Sequence, residues 1–380
     1  MGRVLTRIML AMALAPAAPP GSDVRIAPGV VLRDLGGGRV TGSLLEVDLS
    51  RARIGVLRPP SGAARARVSD MVNGARAVAG INGDFFDISE RSHPGVPATF
   101  APDGPEVADG RPVRGAVPDG QRFGPDAVPG TYGSVIGVDR HGVGRVARLT
   151  LTGTVRTGNG MIRLRGLNQY ALPVGGVGLY TSEWGPSSRA RAFCGTDLHR
   201  NAPCSPDTAA VLIRDGRVDG TSDPGGRLPS GASLLLGRDG GASELRSLRR
   251  GDKVRISSTL TGPVRFRHAL GGLPLLRDGA PVPGLDARSR SPRTAVGLAP
   301  GGRRMFLVVL DGRRETGSGD TAAGLAALLL RLGARDALLM DGGGSSTMAV
   351  RMPGKPAATV RNTPSDGRER PVPNGLAIYK

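Results

Sequence analysis

The sequence predicts an α+β protein that is rich in β-strands, with a mixed sheet and a C-terminal βαβ unit. Gly 60 and Pro 31 among 380 residues exceed ordinary usage, which favours short strands and tight turns over long helices. Hydrophobic residues make up 39% of the chain, enough for a substantial core at this length. The clearest helical period lies near the C-terminus, between two apolar segments of strand length.

The net charge of +19 is of a size often found in nucleic-acid-binding proteins, but its distribution argues against that class. Lys253, Lys355 and Lys380 are the only lysines, so arginine supplies nearly all of the basic residues, spread along the whole chain. Aromatic residues make up 3%, which leaves few rings on which bases could stack. We interpret the charge as a compositional bias and predict no nucleic-acid partner. A surface for another polyanion stays open as the alternative.

The first residues have the order of a signal peptide: Arg3 and Arg7, an apolar segment at residues 8–14, and small residues after it. We therefore predict a signal peptide at residues 1–18 and a secreted, extracytoplasmic protein. The alternative is an Ala/Pro-rich leader from a misassigned start codon. No other segment approaches the ~18 apolar residues that span a bilayer, so we predict no stable membrane insertion.

Cys194 and Cys204 are the only cysteines, and they lie close together in a segment typical of a loop. An even number of cysteines in an exported protein favours one local disulfide between them. Metal binding is the weaker alternative, because their spacing fits no zinc knuckle and His199 alone is a poor third ligand. The sequence does not indicate an oligomeric state.

The N-terminal part of the chain, residues 22–76, is predicted to be a β region. Its strand-like segments are short and separated by Gly and Pro, and they lie at 30–32, 43–47 and 53–57. A short helix is predicted at 68–75. A buried strand at 77–81 then runs into Asn82-Gly83-Asp84, two polar side chains around a glycine.

The middle of the chain, about 130–260, is predicted to be rich in strands. Residues 95–130 show no period and are predicted as a loop, because Pro, Gly and Asp dominate them. Several of the strand-like segments that follow end in Asp-Gly or Gly-Gly turns; the segments lie at 132–138, 145–151, 177–181, 209–214, 233–236 and 253–257.

The C-terminal part predicts a hairpin and then a βαβ unit. Strands at 294–298 and 305–310 form the hairpin, and the second strand runs into Asp311. A helix follows at 325–332, with Asp320 or Thr321 as its N-cap and Gly333 as its stop, and then a strand at 337–340 ends at Asp341. Strand, helix and strand at this spacing predict parallel strands, which would bring both aspartates to one edge of the sheet, where ligands bind in such folds.

Three segments are candidates for the site. Three glycines, Gly342, Gly343 and Gly344, follow Asp341. A turn would explain one or two glycines, but three favour a ligand that approaches the backbone N–H groups. Asn82-Gly83-Asp84 fits a site or a hairpin turn equally well. Arg293 is one arginine among many, yet its guanidinium has the bidentate geometry that a phosphate needs. The sequence contains no zinc motif, P-loop or nucleophile elbow.

Taken together, these segments resemble the phosphodiester glycosidase family. The matching segments occur in the family's order and are AVAGINGDFF (77–86), GGLPLLRDG (271–279), PRTAVGL (292–298), LVVLDGR (307–313), GLAALLLRLGARDALLMDGGGSSTM (324–348) and RNTPSDGRERPVPNGLAIY (361–379). The last two are specific, and the others would be weak alone. The resemblance implies a catalytic domain at residues 77–380.

The resemblance implies hydrolysis of the glycosidic bond of a sugar 1-phosphodiester in a cell-surface or extracellular glycan. We predict Asp341 and Asp84 as nucleophile or base, and Asp311 as the group that orients sugar hydroxyls or a cation. The predicted substrate and phosphate contacts are Asn82, Gly83, Arg293, Gly342, Gly343, Gly344, Ser345, Asn362 and Arg370. No cofactor follows with certainty, and a divalent cation such as calcium stays open. Ser291 stands where family members often have His.

The alternative function is a non-catalytic protein that binds polyanionic cell-wall glycans through its positive charge. Asp84, Asp311 and Asp341 count against it, because a binding protein has no need for buried acids at strand ends. An activity screen with several sugar phosphodiesters distinguishes the two functions.

Overall fold

The structure is a computed structural model that describes residues 23–36, 40–59, 64–125, 131–158, 160–225, 228–312 and 319–380. The predicted signal peptide at residues 1–18 lies outside the described residues, as does Arg313. Within them, no helix has both the length and the apolar character that crossing a membrane requires.

The described residues form short strands and three short α-helices. The strands of the first half are β1 (Val24–Ala27), β2 (Val30–Asp34), β3 (Gly42–Asp48), β4 (Arg53–Leu57), β5 (Ala79–Asn82), β6 (Glu106–Ala108), β7 (Arg111–Arg114), β8 (Ser134–Asp139), β9 (Gly144–Arg148), β10 (Thr150–Thr157), β11 (Gly160–Leu167) and β12 (Val177–Tyr180). Those of the second half are β13 (Thr208–Arg214), β14 (Arg217–Thr221), β15 (Ala232–Arg238), β16 (Arg255–Thr261), β17 (Phe266–Gly271), β18 (Leu273–Arg277), β19 (Ala280–Pro281), β20 (Arg293–Leu298), β21 (Arg304–Leu310), β22 (Asp336–Met340), β23 (Met348–Val350), β24 (Thr359–Val360) and β25 (Gly375–Tyr379). The helices are α1 (Val68–Gly74), α2 (Gly240–Arg246) and α3 (Ala322–Arg331).

These strands form four sheets within the described residues. The large sheet has the order β1-β2-β3-β21-β20-β22-β18-β19, and the closing sheet has the order β24-β23-β5-β25-β4. The middle sheet is β14-β13-β15-β12-β11-β10-β16, and the flank sheet is β7-β6-β17-β8-β9. The predicted β-rich chain is therefore confirmed. The predicted mixed sheet is the middle sheet, where β11 and β12 pair in parallel.

The N-terminal strands join sheets built from C-terminal strands. In the large sheet β3 pairs with β21, and in the closing sheet β4 pairs with β25. The domain boundary near residue 76 stays a prediction.

The large sheet is buried on both faces, because alternate side chains of each strand pack against different layers. Val296, Leu307 and Leu338 join one core with residues of the closing sheet such as Ile81. Ala295, Val308 and Leu339 face the other way and pack with the apolar side of α3. The runs in β20, β21 and β22 are apolar on both faces for this reason.

The predicted helix near residues 325–332 is confirmed as α3. Its N-cap is Thr321 rather than Asp320: the Thr321 hydroxyl accepts a hydrogen bond from Gly324 N at 3.0 Å. Gly333 follows its last turn with a φ of 90°, which only glycine adopts at little cost. The hairpin of β20 and β21 is also confirmed.

The predicted βαβ unit around α3, with parallel strands that bring Asp311 and Asp341 together, is not formed as predicted. β21 and β22 run in the same direction, but β20 lies between them and pairs antiparallel with both. The hairpin connection from β20 to β21 places β20 in this position, so the crossover through α3 passes over one strand. Asp311 and Asp341 are consequently separated by the width of a strand.

The described part of the loop predicted at 95–130, residues 95–125, contains regular structure. It contains β6, β7 and a 3₁₀ turn at Asp119–Gln121. β6 is only three residues long and pairs with β17, which comes much later in the chain. Such a strand is formed by its distant partner, so no local period indicates it.

The predicted disulfide between Cys194 and Cys204 is confirmed. It closes a loop that places Arg200 against Asp87 and Glu90, at 2.6 and 2.9 Å. Disulfides persist in oxidising compartments, so this bond fits an extracytoplasmic protein.

Candidate active site

Three aspartates lie together where the closing sheet meets the large sheet. Asp84 follows β5, Asp341 follows β22, and Asp103 precedes β6. The backbone N–H of Asp341 donates to Gly83 O at 2.9 Å, which joins the ends of β5 and β22 directly. We call these three aspartates, together with Arg122, the acid cluster.

Asn82 holds this junction together. Its Nδ2 donates to Asp341 O at 2.7 Å, and its Oδ1 accepts from Thr294 Oγ1 at 2.8 Å and from Thr347 N at 3.0 Å. The side chain is completely buried. Both lone pairs of its oxygen are used, so Asn82 joins the two strand ends and its oxygen has no acceptor capacity left for a substrate. Gly83 has the same role, since its N–H donates to Asn374 O.

Asp84 is buried, at 2% exposure, and its carboxylate is held by backbone N–H groups. Phe85 N donates to Oδ1 at 2.9 Å and Gly104 N to Oδ2 at 2.6 Å. A Cβ on Gly104 would lie 2.6 Å from Oδ2, so only glycine permits this contact. Burial raises the pKa of Asp84 to about 6, against the opposing charge of Arg122.

Asp103 is fully buried beside Asp84. Its Oδ1 accepts from the Tyr170 hydroxyl at 2.7 Å and its Oδ2 from Phe123 N at 3.0 Å. Burial raises the pKa of Asp103 to about 7; Arg122 opposes this increase and the charge of Asp84 adds to it.

Asp341 is the partly exposed member of the acid cluster. Its Oδ1 accepts from Gly342 N at 2.9 Å. Loss of hydration raises the pKa of Asp341 to about 7; Ser345 and Arg370 act against this increase, and the charge of Asp103 adds to it. Asp341 is therefore a carboxyl group that exchanges its proton near neutral pH and that a ligand can reach.

Arg122 is the buried cation of the acid cluster. Its Nη2 lies 3.6 Å from Asp103 Oδ2, and neither Nε nor Nη2 has a hydrogen-bond partner in the described residues. Burial lowers the pKa of Arg122, but Asp103 and Asp84 outweigh it and the net pKa is raised. One guanidinium thus faces several carboxylates, which favours protons shared among the aspartates at neutral pH.

The glycines after Asp341 are less available than the sequence predicted. Gly342 N donates to Asp341 Oδ1 and Gly343 N donates to Pro292 O at 2.9 Å, so neither N–H group is free to hold a phosphate. The hydroxyls of Ser346 and Thr347 are buried and have no hydrogen-bond partner in the described residues.

Asn362 fixes the loop that follows these glycines. Its Oδ1 accepts from Met348 N and its Nδ2 donates to Ser346 O, both at 2.8 Å. Asn362 is therefore a positioning residue for the loop that contains Ser345.

Arg370, a predicted phosphate contact, lies near enough to Asp341 for its charge to lower the pKa of that carboxyl group. Its Nε and Nη2 donate to Asp366 Oδ2 at 2.9 and 2.6 Å, and 28% of its side chain is exposed. The guanidinium lies against Gly344, where any Cβ would overlap it. Arg370 and Asp341 thus flank the same glycine segment.

Arg293 and Asp311 are not brought into the acid cluster. Arg293 donates to Ser289 O at 2.7 Å and to Asp320 O at 3.1 Å, on the α3 side of the large sheet. Thr294, the next residue, points to Asn82 on the opposite face. Asp311 accepts from Thr363 N at 2.6 Å and lines a separate cavity of about 310 Å³.

Sequence reasoning missed Asp103, Arg122 and Asn374. Asn374 accepts from Asp84 N at 3.1 Å and lies within the C-terminal segment that resembles the family, so that segment was a signal for it. Asp103 precedes a glycine in a segment rich in Pro and Gly, which is also the pattern of an ordinary turn. No local signal distinguishes it.

A second grouping is relevant to metal binding. His93, Cys194 and Cys204 have potential ligand atoms within 4.8 Å of one another in the described residues, but the two sulfur atoms are joined in the disulfide. A disulfide offers no thiolate, so this grouping is unsuited to zinc in the oxidised protein.

Comparison with known proteins supports the predicted resemblance. Residues 207–379 match the model of the phosphodiester glycosidase family, so the resemblance is confirmed for this part of the chain. An SPbeta prophage-derived uncharacterized protein of Bacillus subtilis (strain 168), YomE, is 32% identical over 178 residues, which is 45% of this chain and 26% of that protein. The chain therefore spans about a quarter of that relative's length.

Solved structures share the fold over most of the chain. A hypothetical protein from Synechocystis matches at a TM-score of 0.70 and 20% identity, over 95% of this chain and 64% of that one. A Burkholderia pseudomallei K96243 protein described as exported matches at 0.66 and 24%, over 90% of this chain and 74% of that one. At these identities the likeness establishes the fold alone.

Proposed function

We propose that this protein hydrolyses the glycosidic bond of a sugar 1-phosphodiester in a cell-surface or extracellular glycan. The observation that supports this proposal is the acid cluster, in which one partly exposed aspartate has a pKa raised to about 7 beside two buried ones. Carboxyl groups with raised pKa values at a junction of sheets are typical of catalytic sites, since structural acids are usually ionised.

The chemistry needs one carboxylate at the sugar and little acid assistance. A phosphate is a good leaving group, so the bond breaks through an oxocarbenium-like transition state that a carboxylate stabilises or attacks. Asp341 is the member that a sugar can reach, and we assign it as the nucleophile or the base that activates water. Departure of the phosphate takes the bonding electron pair with it, and water supplies the hydroxyl group at the anomeric carbon.

Asp84 and Asp103 act as positioning residues through Asp341. Their carboxylates accept hydrogen bonds on both oxygens from Phe85, Gly104, Phe123 and Tyr170, so they are held in place away from substrate. The negative charges of the cluster raise the pKa values of neighbouring aspartates, and the positive charge of Arg122 lowers those of Asp84 and Asp103. This replaces the prediction of Asp84 as a nucleophile, with Asp341 as the group in contact.

Arg370 is the guanidinium that we assign to the phosphate. It is partly exposed, and its charge already acts on Asp341. Ser345, in the same segment, would add a hydroxyl contact. Arg293 is the alternative phosphate ligand, but it would first have to release the carbonyl oxygens of Ser289 and Asp320. We leave Asp311 out of the catalytic set because its contacts lie at a separate cavity.

We also propose that the protein works outside the cytoplasm. The disulfide between Cys194 and Cys204 supports this location, as does the predicted signal peptide at residues 1–18.

The test of the activity is a panel of aryl phosphodiesters of several sugars, assayed with and without a chelator. Turnover that releases free sugar and the aryl phosphate supports the proposal, and loss of it with chelator would show a cation requirement. Saturable binding of these compounds or of a polyanionic glycan without any release of sugar would overturn it in favour of a binding protein.

A further inference from the structure

A cavity next to the acid cluster contains a buried arginine, Arg114, whose Nε has no hydrogen-bond partner in the described residues. The cavity has a volume of about 550 Å³ and is lined by Arg58, Phe100, Glu106, Arg114, Glu183 and Trp184, among others. This volume lies in the range of sites for small organic ligands. We call it the Arg114 cavity.

Arg114 is 7% exposed and lies opposite Glu106 in the pairing of β6 with β7, and after burial the charge of Glu106 has the largest effect on its pKa. Its Nη1 donates to Asn168 O, whereas its Nε is buried without a hydrogen-bond partner. The guanidinium lies 5.5 Å from the centroid of the Trp184 ring. Burial lowers the pKa of Arg114 to about 10, which still leaves it charged at neutral pH. A buried N–H group without an acceptor is costly unless a ligand provides one.

The two glutamates of the cavity are paired with another arginine. Arg58 Nε lies 3.2 Å from Glu106 Oε1, and its Nη2 contacts Glu183 Oε2. Glu106 also accepts from Asn374 Nδ2 at 2.9 Å through its other oxygen. Among the described residues, the cavity lining has three arginines, Arg58, Arg114 and Arg189, and two glutamates, so one positive charge is left for a ligand.

The cavity shares a wall with the acid cluster. Glu106 lines the cavity and binds Asn374, and Asn374 in turn accepts from Asp84 N at 3.1 Å. Pro102, next to Asp103, also lines it. A substrate that reacts at the acid cluster could therefore extend one end towards Arg114.

We propose that the Arg114 cavity binds an anionic group, a phosphate or a carboxylate, at the end of the substrate that leaves with the scissile phosphate. Binding of an anion in the cavity does not depend on the proposed function. The assignment of this anion to the leaving group of the substrate rests on that function. The preferred substrates are then phosphodiesters that have a second negative charge beyond the scissile phosphate.

The first experiment measures binding without catalysis. Isothermal titration of the Asp341→Asn protein at about 150 mM salt, near physiological screening, uses glycerol 3-phosphate, lactate and neutral glycerol as probes. We expect saturable binding of an anionic probe and none of glycerol, and the two anions distinguish a phosphate from a carboxylate. Equal binding of glycerol, or no saturable binding of either anion, would overturn the proposal.

The second experiment places the anion with matched variants. Ser182 is an exposed residue that lines the cavity, and Ser182→Glu adds a negative charge there. Ser243→Glu adds the same charge at an exposed position of α2 and is the control. We expect Arg114→Met and Ser182→Glu to weaken the binding by roughly tenfold or more, as expected for a lost charged hydrogen bond, with Ser243→Glu unchanged. If Arg114→Met does not fold, Ser182→Glu decides.

Equal affinity in Ser182→Glu and in the parent protein, or an equal loss in Ser243→Glu, would show that the anion binds through the general positive charge of the protein and would refute binding in the cavity.

Turnover measurements separate the two proposals. With Asp341 intact, Ser182→Glu should raise KM for a phosphodiester with a charged leaving group and leave KM for a neutral aryl one unchanged. Turnover without anion binding refutes only the cavity, and anion binding without turnover refutes only the proposed function.

Discussion

Asp311 and Asp341 have similar sequence contexts, but their carboxylates have different surroundings in the structure. Each follows an apolar strand of the large sheet and precedes a glycine, and the two strands run in the same direction on either side of β20. Asp341 lies at the junction with the closing sheet, beside Asp103 and Arg370. Asp311 accepts from Thr363 N at 2.6 Å at a separate cavity.

This difference shows that the end of a strand places an aspartate at the edge of the sheet, whereas the residues packed against that edge determine its pKa. The closing sheet brings Asp84 to Asp341 through the backbone contact with Gly83. Lost hydration, and after it the charge of Asp103, raise the pKa of Asp341 to about 7. Asp311 has the same local sequence but does not lie at this junction, and its carboxylate accepts a hydrogen bond from Thr363 N.

The largest expected effect is on turnover. Asp341→Asn should lower kcat by about 10³-fold or more, because a carboxylate that acts in the transition state contributes several kcal/mol to it and little to the ground state. Asp311→Asn, the matched control, should stay within a few-fold of the parent enzyme, since Asn still accepts from Thr363 N. Steady-state kinetics on the best phosphodiester measures both. An Asp341→Asn enzyme within a few-fold of the parent would move the assignment to Asp84.

The next effect concerns the phosphate. Arg370→Lys should raise KM and lower kcat, together by roughly 10–100-fold in kcat/KM, because a point charge replaces bidentate geometry. The defect should be smaller on a sugar substrate whose leaving group is not a phosphate. Arg293→Lys is the comparison: a larger loss in kcat/KM there than in Arg370→Lys would return the phosphate to Arg293.

A smaller effect is expected in the pH profile. If Asp341 acts as a carboxylate, kcat/KM rises with pH through an apparent pKa near the value of about 7 for Asp341. Asp103→Asn removes a neighbouring negative charge, so this rise should move to lower pH. Rates measured between pH 5 and 9 test this, and an unchanged or upward-shifted midpoint in Asp103→Asn contradicts the coupling.

The smallest effect is on stability. The folded protein keeps the Asp341 proton up to pH about 7, whereas the unfolded chain releases it near pH 4, so the free energy of unfolding falls as pH rises through this window. Asp341→Asn removes that penalty and should raise the free energy of unfolding by about 1–3 kcal/mol at pH 8, and by less at pH 5.

Denaturant unfolding at both pH values measures this gain. Asp311→Asn serves as the control, with a change within about 0.5 kcal/mol at either pH. An Asp341→Asn protein that is less stable at pH 8 than the parent would mean that the carboxylate is structural.

Local sequence determined the elements that hold Asp341. The apolar period at 325–332 predicts α3, the apolar runs predict β20, β21 and β22, and Thr321 and Gly333 indicate the ends of the helix. The two cysteines predict their own disulfide. Each of these signals comes from residues close in sequence, where spacing alone relates side chains to one another.

Only the tertiary structure determines which polar side chains lie next to one another in the site. Asp103 and Arg122 reach Asp84 because β6 is held by β17, a pairing with no trace in the sequence near either residue. Alternation along β20 puts Arg293 and Thr294 on opposite faces, but only the packing of α3 against one face and the closing sheet against the other decides that Thr294 meets Asn82. The raised pKa values of Asp84, Asp103 and Asp341 follow from these contacts. Desolvation and charge interactions depend on distance in space and not on distance along the chain.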